Sequence, residues 1–139
     1  YIISMVKRMI IILAILLSYQ ILNTKNCIAD SRNLLASFYS VASLKNEGTW
    51  KISKGRMANG KIFNENAYTA ASCDYPLKTK LRVTSVENPK KSIIVEVTDR
   101  TNKRFKGKRI DLSRQAFITL VGSEQGLEKG LLRVKVEKL

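Results

Sequence analysis

The chain has 139 residues with 25 Lys and Arg, 11 Asp and Glu and no His, a formal net charge of +14. That length supports one domain. The lack of His excludes imidazole acid–base catalysis and His-ligated metal sites. The remaining cysteines and carboxylates show no ligand spacing, so no metal and no cofactor are expected.

The chain begins at Tyr1, and Met5 is the expected start. Lys7-Arg8 followed by the apolar run from Met9 to Leu17, extended through Ser18-Tyr19-Gln20-Ile21-Leu22, has the charged and apolar regions of a secretory signal. Nine unbroken apolar residues fall short of the roughly 20 needed for a span, although a run read through Leu22 could anchor the chain. Cys27-Ile28-Ala29 places a small residue before Asp30, so residues 1–29 are read as a signal segment cleaved after Ala29 and 30–139 as the working domain. The polar Thr24-Lys25-Asn26 before Cys27 argues against lipid attachment. Cleavage leaves Cys73 alone. It is expected to be a small buried side chain, since no His could activate it as a nucleophile.

Loss of residues 1–29 removes Lys7, Arg8 and Lys25 and no acid, leaving 22 basic and 11 acidic residues, a net charge of +11. Such a charge steers a protein toward polyanions. Behind an export signal these are anionic cell-wall polymers or membrane surfaces rather than nucleic acid; the alternative is a basic, solvated surface.

Leu34 to Tyr39 suits a first strand. Ser43 to Gly48 is turn-like, and Thr49 to Ile52 reads as a brief strand or an ordered loop. The single tryptophan, Trp50, is a packing residue or a sugar platform. Asn59-Gly60 marks a tight turn. Tyr68 to Ser72 reads as a buried strand of small residues, and Lys80 to Val86 as an alternating strand joined by a Glu87–Lys91 hairpin loop to the next.

The stretch Ile93 to Ser113 carries the most information. Ile93, Val95 and Val97 alternate with Ile94, Glu96 and Thr98, so an apolar row faces a core and the strand delivers Asp99 to its end. A carboxylate there is rigidly held yet open to a cleft. Lys103, Arg104, Lys106, Lys108 and Arg109 then form a basic loop. Asp111-Leu112-Ser113 can cap a helix bearing Ala116, Phe117, Leu120 and Val121 and stopped by Gly122. Leu132, Val134 and Val136 define a last half-buried strand. Several short strands with one short helix predict a mainly β fold, a small closed barrel.

In order, ASFY from Ala36, GRMANGKIFNENAYTAAS from Gly55, YPLKTKLRVT from Tyr75, VEVTDR from Val95 and GKRIDLSRQAF from Gly107 resemble the rare lipoprotein A family. The resemblance runs from Leu34 to about Glu137. It implies a six-stranded double-psi β-barrel, related to the barrel of expansins, and cleavage of peptidoglycan glycan strands by lytic transglycosylation. Asp99 falls on the aspartate of the family's Asp-Arg motif and is the expected catalytic residue. Arg100 would position substrate or tune the acid; its other reading is a structural salt bridge.

The chain departs from the family pattern at four places. Ser72 stands where active relatives carry His, Asn64 where Asp follows the Phe, Thr101-Asn102 replaces Gly-Pro, and Lys78 replaces Gly. Asp74 could supply a missing polar function or form a turn. Asp111 is read as structural rather than as a second catalyst.

The expected substrate-binding set is Arg100, Tyr39, Asn64, Tyr68, Ser72, Asp74 and Tyr75. The alternative to an enzyme is an expansin-like module that holds glycan through Tyr39, Tyr68 and Tyr75 without turnover. A monomer is expected, exported to the periplasm or cell envelope, with targeting carried by the barrel itself.

Overall fold

Six strands close on themselves in the order β1-β5-β2-β4-β3-β6, with β6 returning to β1. They are β1 (Ser31–Tyr39), β2 (Thr69–Ala71), β3 (Lys80–Ser85), β4 (Ser92–Asp99), β5 (Arg109–Ser113) and β6 (Leu132–Lys138). The computed structural model describes residues 2–25 and 30–139. Two neighbouring pairs, β1 with β5 and β2 with β4, run parallel, and the remaining pairs are antiparallel. This is the mixed, closed sheet of a double-psi barrel. Closure leaves no strand edge to be covered.

The alternation read in the sequence sets the faces. Leu81 and Val83 on β3, Ile93, Val95 and Val97 on β4, and Val134 and Val136 on β6 are buried, while Ile94 is half exposed. Each of these side chains contributes about 1.5–3 kcal/mol on burial. One end of the barrel is plugged by α4 (Arg114–Val121), which buries Ala116, Phe117 and Leu120 and ends at Gly122, whose φ of 89° suits glycine. Phe38 of β1 meets Phe117 with ring centroids 5.1 Å apart.

The fifth strand, β5, lies where the sequence was read as a basic loop and a helix cap. Ile110 and Leu112 are fully buried, so Arg109 to Ser113 is a strand between β1 and β2. Ser113 precedes α4 but does not cap it. Its hydroxyl lies within 3.4 Å of the Thr69 N–H, which donates to it, and it bonds the Ala67 carbonyl at 2.5 Å, tying the loop before β2 to β5.

Two short helices, α2 (Val41–Asn46) and α3 (Thr49–Ser53), stand where a turn and a strand or loop were expected. Ser40 and Ser43 form a reciprocal capping box at the start of α2. Left-handed residues at Gly48 and at Lys54 bound the single turn of α3, which is why no strand forms there. Trp50 then folds onto Gly55, where an added Cβ would lie 2.7 Å from the indole. With Lys45 over its ring at 5.6 Å, Trp50 packs rather than presenting an open face.

Ile2–Lys25 forms α1, and its described apolar side chains, among them Ile3, Met9 and Leu13, are exposed. Among the described residues no helix is long and apolar enough to cross a membrane. The expected cleavage residues Cys27, Ile28 and Ala29 lie outside the described residues.

Lys78, standing where Gly was expected, has a φ of 72°. A side chain there costs about 1–2 kcal/mol. Lys78→Gly should therefore raise stability by roughly 0.5–1 kcal/mol, after the added freedom of glycine in the unfolded chain is counted. Thermal denaturation checks this, and a lower midpoint would contradict it.

Candidate functional site

Three neighbouring strands set the geometry. In register, Ala71 of β2 is flanked by Asp99 of β4 on one side and Asp111 of β5 on the other. Adjacent strands lie roughly 4.8 Å apart, so the two aspartates stand about 10 Å apart at their Cα atoms with only a methyl group between them. The gap opens as a cavity of about 210 Å³ lined by Tyr39, Ser43, Glu47, Asp99, Arg100, Arg109 and Asp111.

Asp99 is half buried, and its Oδ1 accepts N–H bonds from Ala58 at 3.0 Å and from Arg100 at 2.8 Å. Both come from backbone, so the carboxylate is fixed without a side-chain partner. No hydrogen bond among the described residues reaches Oδ2, which leaves it for the cavity. Asp111 is held differently: Arg109 Nε donates to it at 2.6 Å and the Ser37 hydroxyl bonds the same oxygen. It is a hydrogen-bonding residue, as expected, but it also lines the cavity of Asp99 and ends no helix.

Arg100 makes no ion pair with Asp99. Its Nη1 donates to the Ser72 carbonyl at 3.1 Å and the Tyr75 carbonyl at 2.6 Å, clamping the 72–75 turn to the end of β4. Ser72 is fully buried, its hydroxyl accepts the Asp74 N–H at 3.0 Å, and its N–H donates to the Asp99 carbonyl. Its side chain therefore supports the turn.

The Asp74 carboxylate accepts the Gly107 N–H on both oxygens, at 2.9 and 3.0 Å, and pairs with Arg32 at 3.2 Å, holding the basic loop against β1. Tyr75 is buried beneath Arg32, which lies 5.4 Å from its ring. With Cys73, Arg100, Lys103 and Lys106, Asp74 and Tyr75 line a second, basic cavity. Cys73 is half buried rather than fully so, and its thiol donates to the Thr101 carbonyl at 2.6 Å. Asn64 and Tyr68 line a third cavity, beyond the loop that bonds Asp99.

The eight expected residues thus fall in separate places. Tyr39, Asp99 and Arg100 share a cavity with Asp111, Arg109 and Glu47. Arg109 and Glu47 were not singled out as site residues; the spacing Arg109-Ile110-Asp111, a strand alternation within the basic loop, could have found Arg109.

Tyr39 stacks on Phe63 with centroids 4.4 Å apart, so one face of its ring is covered. Its hydroxyl is buried without a hydrogen-bond partner. Burial pushes its pKa well above the ordinary tyrosine value, and the Asp99 carboxylate adds to the rise. Thr69 and Thr98 oppose it weakly, yet neither hydroxyl reaches hydrogen-bond geometry. Burial also raises the Tyr75 pKa, against the pull of Arg32.

The sequence model of the family described as lytic transglycolase matches residues 32–136. The chain belongs to that family. An endolytic peptidoglycan transglycosylase RlpA from Pasteurella multocida is 38% identical over 111 residues, 78% of this chain and 34% of the relative. One from Rickettsia bellii is 42% identical over 85 residues, 60% of this chain and 34% of the relative. The chain thus matches about a third of the length of these curated relatives. Among solved structures, the Streptomyces papain inhibitor superposes with a TM-score of 0.58 at 19% identity, covering 81% of this chain and 97% of that one. Cerato-platanin 3 from M. perniciosa gives 0.52 at 14%, covering 77% and 93%. These two share the fold.

Tyr39→Phe removes a buried hydroxyl that the protein leaves unpaired, so stability at neutral pH should change by less than about 1 kcal/mol. At high pH the sign is fixed. The unfolded chain loses its tyrosine protons near about pH 10 while the folded chain retains them, so folding stability is full below that pH and falls as pH rises above it. Tyr39→Phe should flatten that fall. Urea unfolding at pH 7 and 10.5 measures both, and an unchanged alkaline slope would contradict the burial of the hydroxyl.

Proposed function

We propose that the protein is a lytic transglycosylase that cleaves peptidoglycan glycan strands with Asp99 as its single acid and base. The observation that carries the reading is the placement of Asp99. It stands at the end of a core strand, with one oxygen fixed by two backbone N–H groups and the other left for a cavity.

In this reaction the protonated Asp99 gives its proton to the glycosidic oxygen as the bond to the anomeric carbon breaks. The resulting carboxylate takes a proton from the 6-hydroxyl of the same sugar as that oxygen closes a 1,6-anhydro ring. Water is not consumed, so no second carboxylate is needed to activate it. Asp111, about 10 Å away across Ala71, is paired with Arg109 and shapes the opposite wall of the cavity. Arg100 acts through the turn that it clamps.

The reading extends to the rest of the chain. Residues 1–29 serve as an export signal and 30–139 act outside the cytoplasm, in the cell envelope, as a monomer. The relatives named as peptidoglycan transglycosylases support the substrate.

A second reading, a glycan-binding module without turnover, is favoured by one observation. Ser72, which replaces the His of active relatives, is buried, and its hydroxyl accepts a hydrogen bond within its own turn.

Sacculi incubated with the purified chain should release soluble anhydro-muropeptides, and Asp99→Asn should lower release at least about 100-fold. Full release by the variant would overturn the assignment. Sedimentation with sacculi and no release by either protein would favour the second reading.

A further inference from the structure

We infer that the cavity on the far side of the Met57–Asn59 loop is a second sugar subsite, one that takes an N-acetylated amino-sugar residue of the strand cut at Asp99. The inference rests on the proposed glycan substrate and adds a binding site to it. The cavity encloses about 280 Å³ and is lined by Met57, Asn59, Asn64, Tyr68, Thr69 and Thr98 among others.

Its position ties it to the acid. Thr98 and Asp99 are neighbours on β4, and two neighbouring residues of one loop hold them: Ala58 N–H bonds the Asp99 carboxylate at 3.0 Å and Asn59 N–H bonds the Thr98 carbonyl at 3.1 Å. A strand seated at Asp99 needs only to cross this loop to enter the cavity.

Its chemistry suits an acetamido sugar. Tyr68 is 42% exposed, and its hydroxyl is anchored on Thr119 at 2.8 Å, so the ring is held as a stacking surface. The Oδ1 atoms of Asn59 and Asn64 accept the N–H groups of Lys61 and Asn66, each at 3.0 Å. Their amide N–H₂ groups are claimed by no bond among the described residues and are free to donate to an acetamido carbonyl. Met57, Ile62 and Ala67 offer apolar contact to its methyl group.

Thr69 and Thr98 complete the lining, with their hydroxyls buried beside that of Tyr39. Of the charged groups on the lining, Lys80 pairs with Glu96 at 2.8 Å and Lys61 adds a cation.

The test is binding without turnover, by calorimetry on the full chain carrying Asp99→Asn. The ligands are the N-acetylglucosamine tetramer and the fully de-N-acetylated tetramer. The acetylated tetramer should bind, Tyr68→Ala should weaken it about fivefold to tenfold, and the de-acetylated tetramer should bind at least as much more weakly. Asn64→Ala, which removes a donating amide from the lining, should also weaken binding. Melting temperatures confirm that both variants are folded.

Unchanged affinity in folded Tyr68→Ala, equal binding of the two tetramers, or no binding at all would each overturn the subsite. Failure of the transglycosylase reading is distinguishable. It appears as absent anhydro products from the unaltered chain while the acetylated tetramer still binds and loses affinity with Tyr68→Ala.

Discussion

One dipeptide at the end of β4 holds the working end of this barrel together. The Asp99 carboxylate takes the N–H of Ala58, its own carbonyl takes the N–H of Ser72, and the Arg100 guanidinium takes the carbonyls of Ser72 and Tyr75. Two loops, one before and one after β2, are thereby fastened to a strand whose alternate residues are locked in the core. Hydrogen bonds to charged groups contribute more than neutral ones, about 1.5–3 kcal/mol each, so this cluster is a firm anchor. The consequence is that the Asp99 carboxylate is carried on a strand end rather than on a loop. Its position follows from β4, and β4 follows from the burial of Ile93, Val95 and Val97.

The same arrangement divides labour between the polar residues. Asp74 and Ser72 sit close to the site in sequence, yet their side chains are committed to the backbone of turns and of the basic loop. Asp99 and Asp111 are held by only part of their hydrogen-bonding capacity and face a common cavity. Ala71 between them is small, and that absence of bulk makes the cavity. A Val or Leu at that position would fill the space between the two carboxylates.

Much of this was legible in the sequence because one face of each long strand is buried. Alternation over β3, β4 and β6 and helical spacing over α4 carried the barrel, and the alternation of β4 put Asp99 at the strand end. The fifth strand escaped because Ile110 and Leu112 are its only fully apolar residues, set behind a run of Lys and Arg that reads as a loop. Residues 40–54 escaped because their helices are single turns fixed by left-handed residues and by Trp50 packing on Gly55, long-range facts that local pattern does not encode. The separation of Asn64 and Tyr68 from Asp99 depends on which side of a loop each lies, a matter of tertiary path rather than of spacing.

The central claim is that Asp99 works without a second group to activate water, and oxygen-18 water tests it most directly. Sacculi digested in it should yield fragments ending in 1,6-anhydro sugars with no heavy oxygen at the cut, as read by mass spectrometry. New reducing ends carrying oxygen-18 would show that water had attacked the anomeric carbon and would contradict the account.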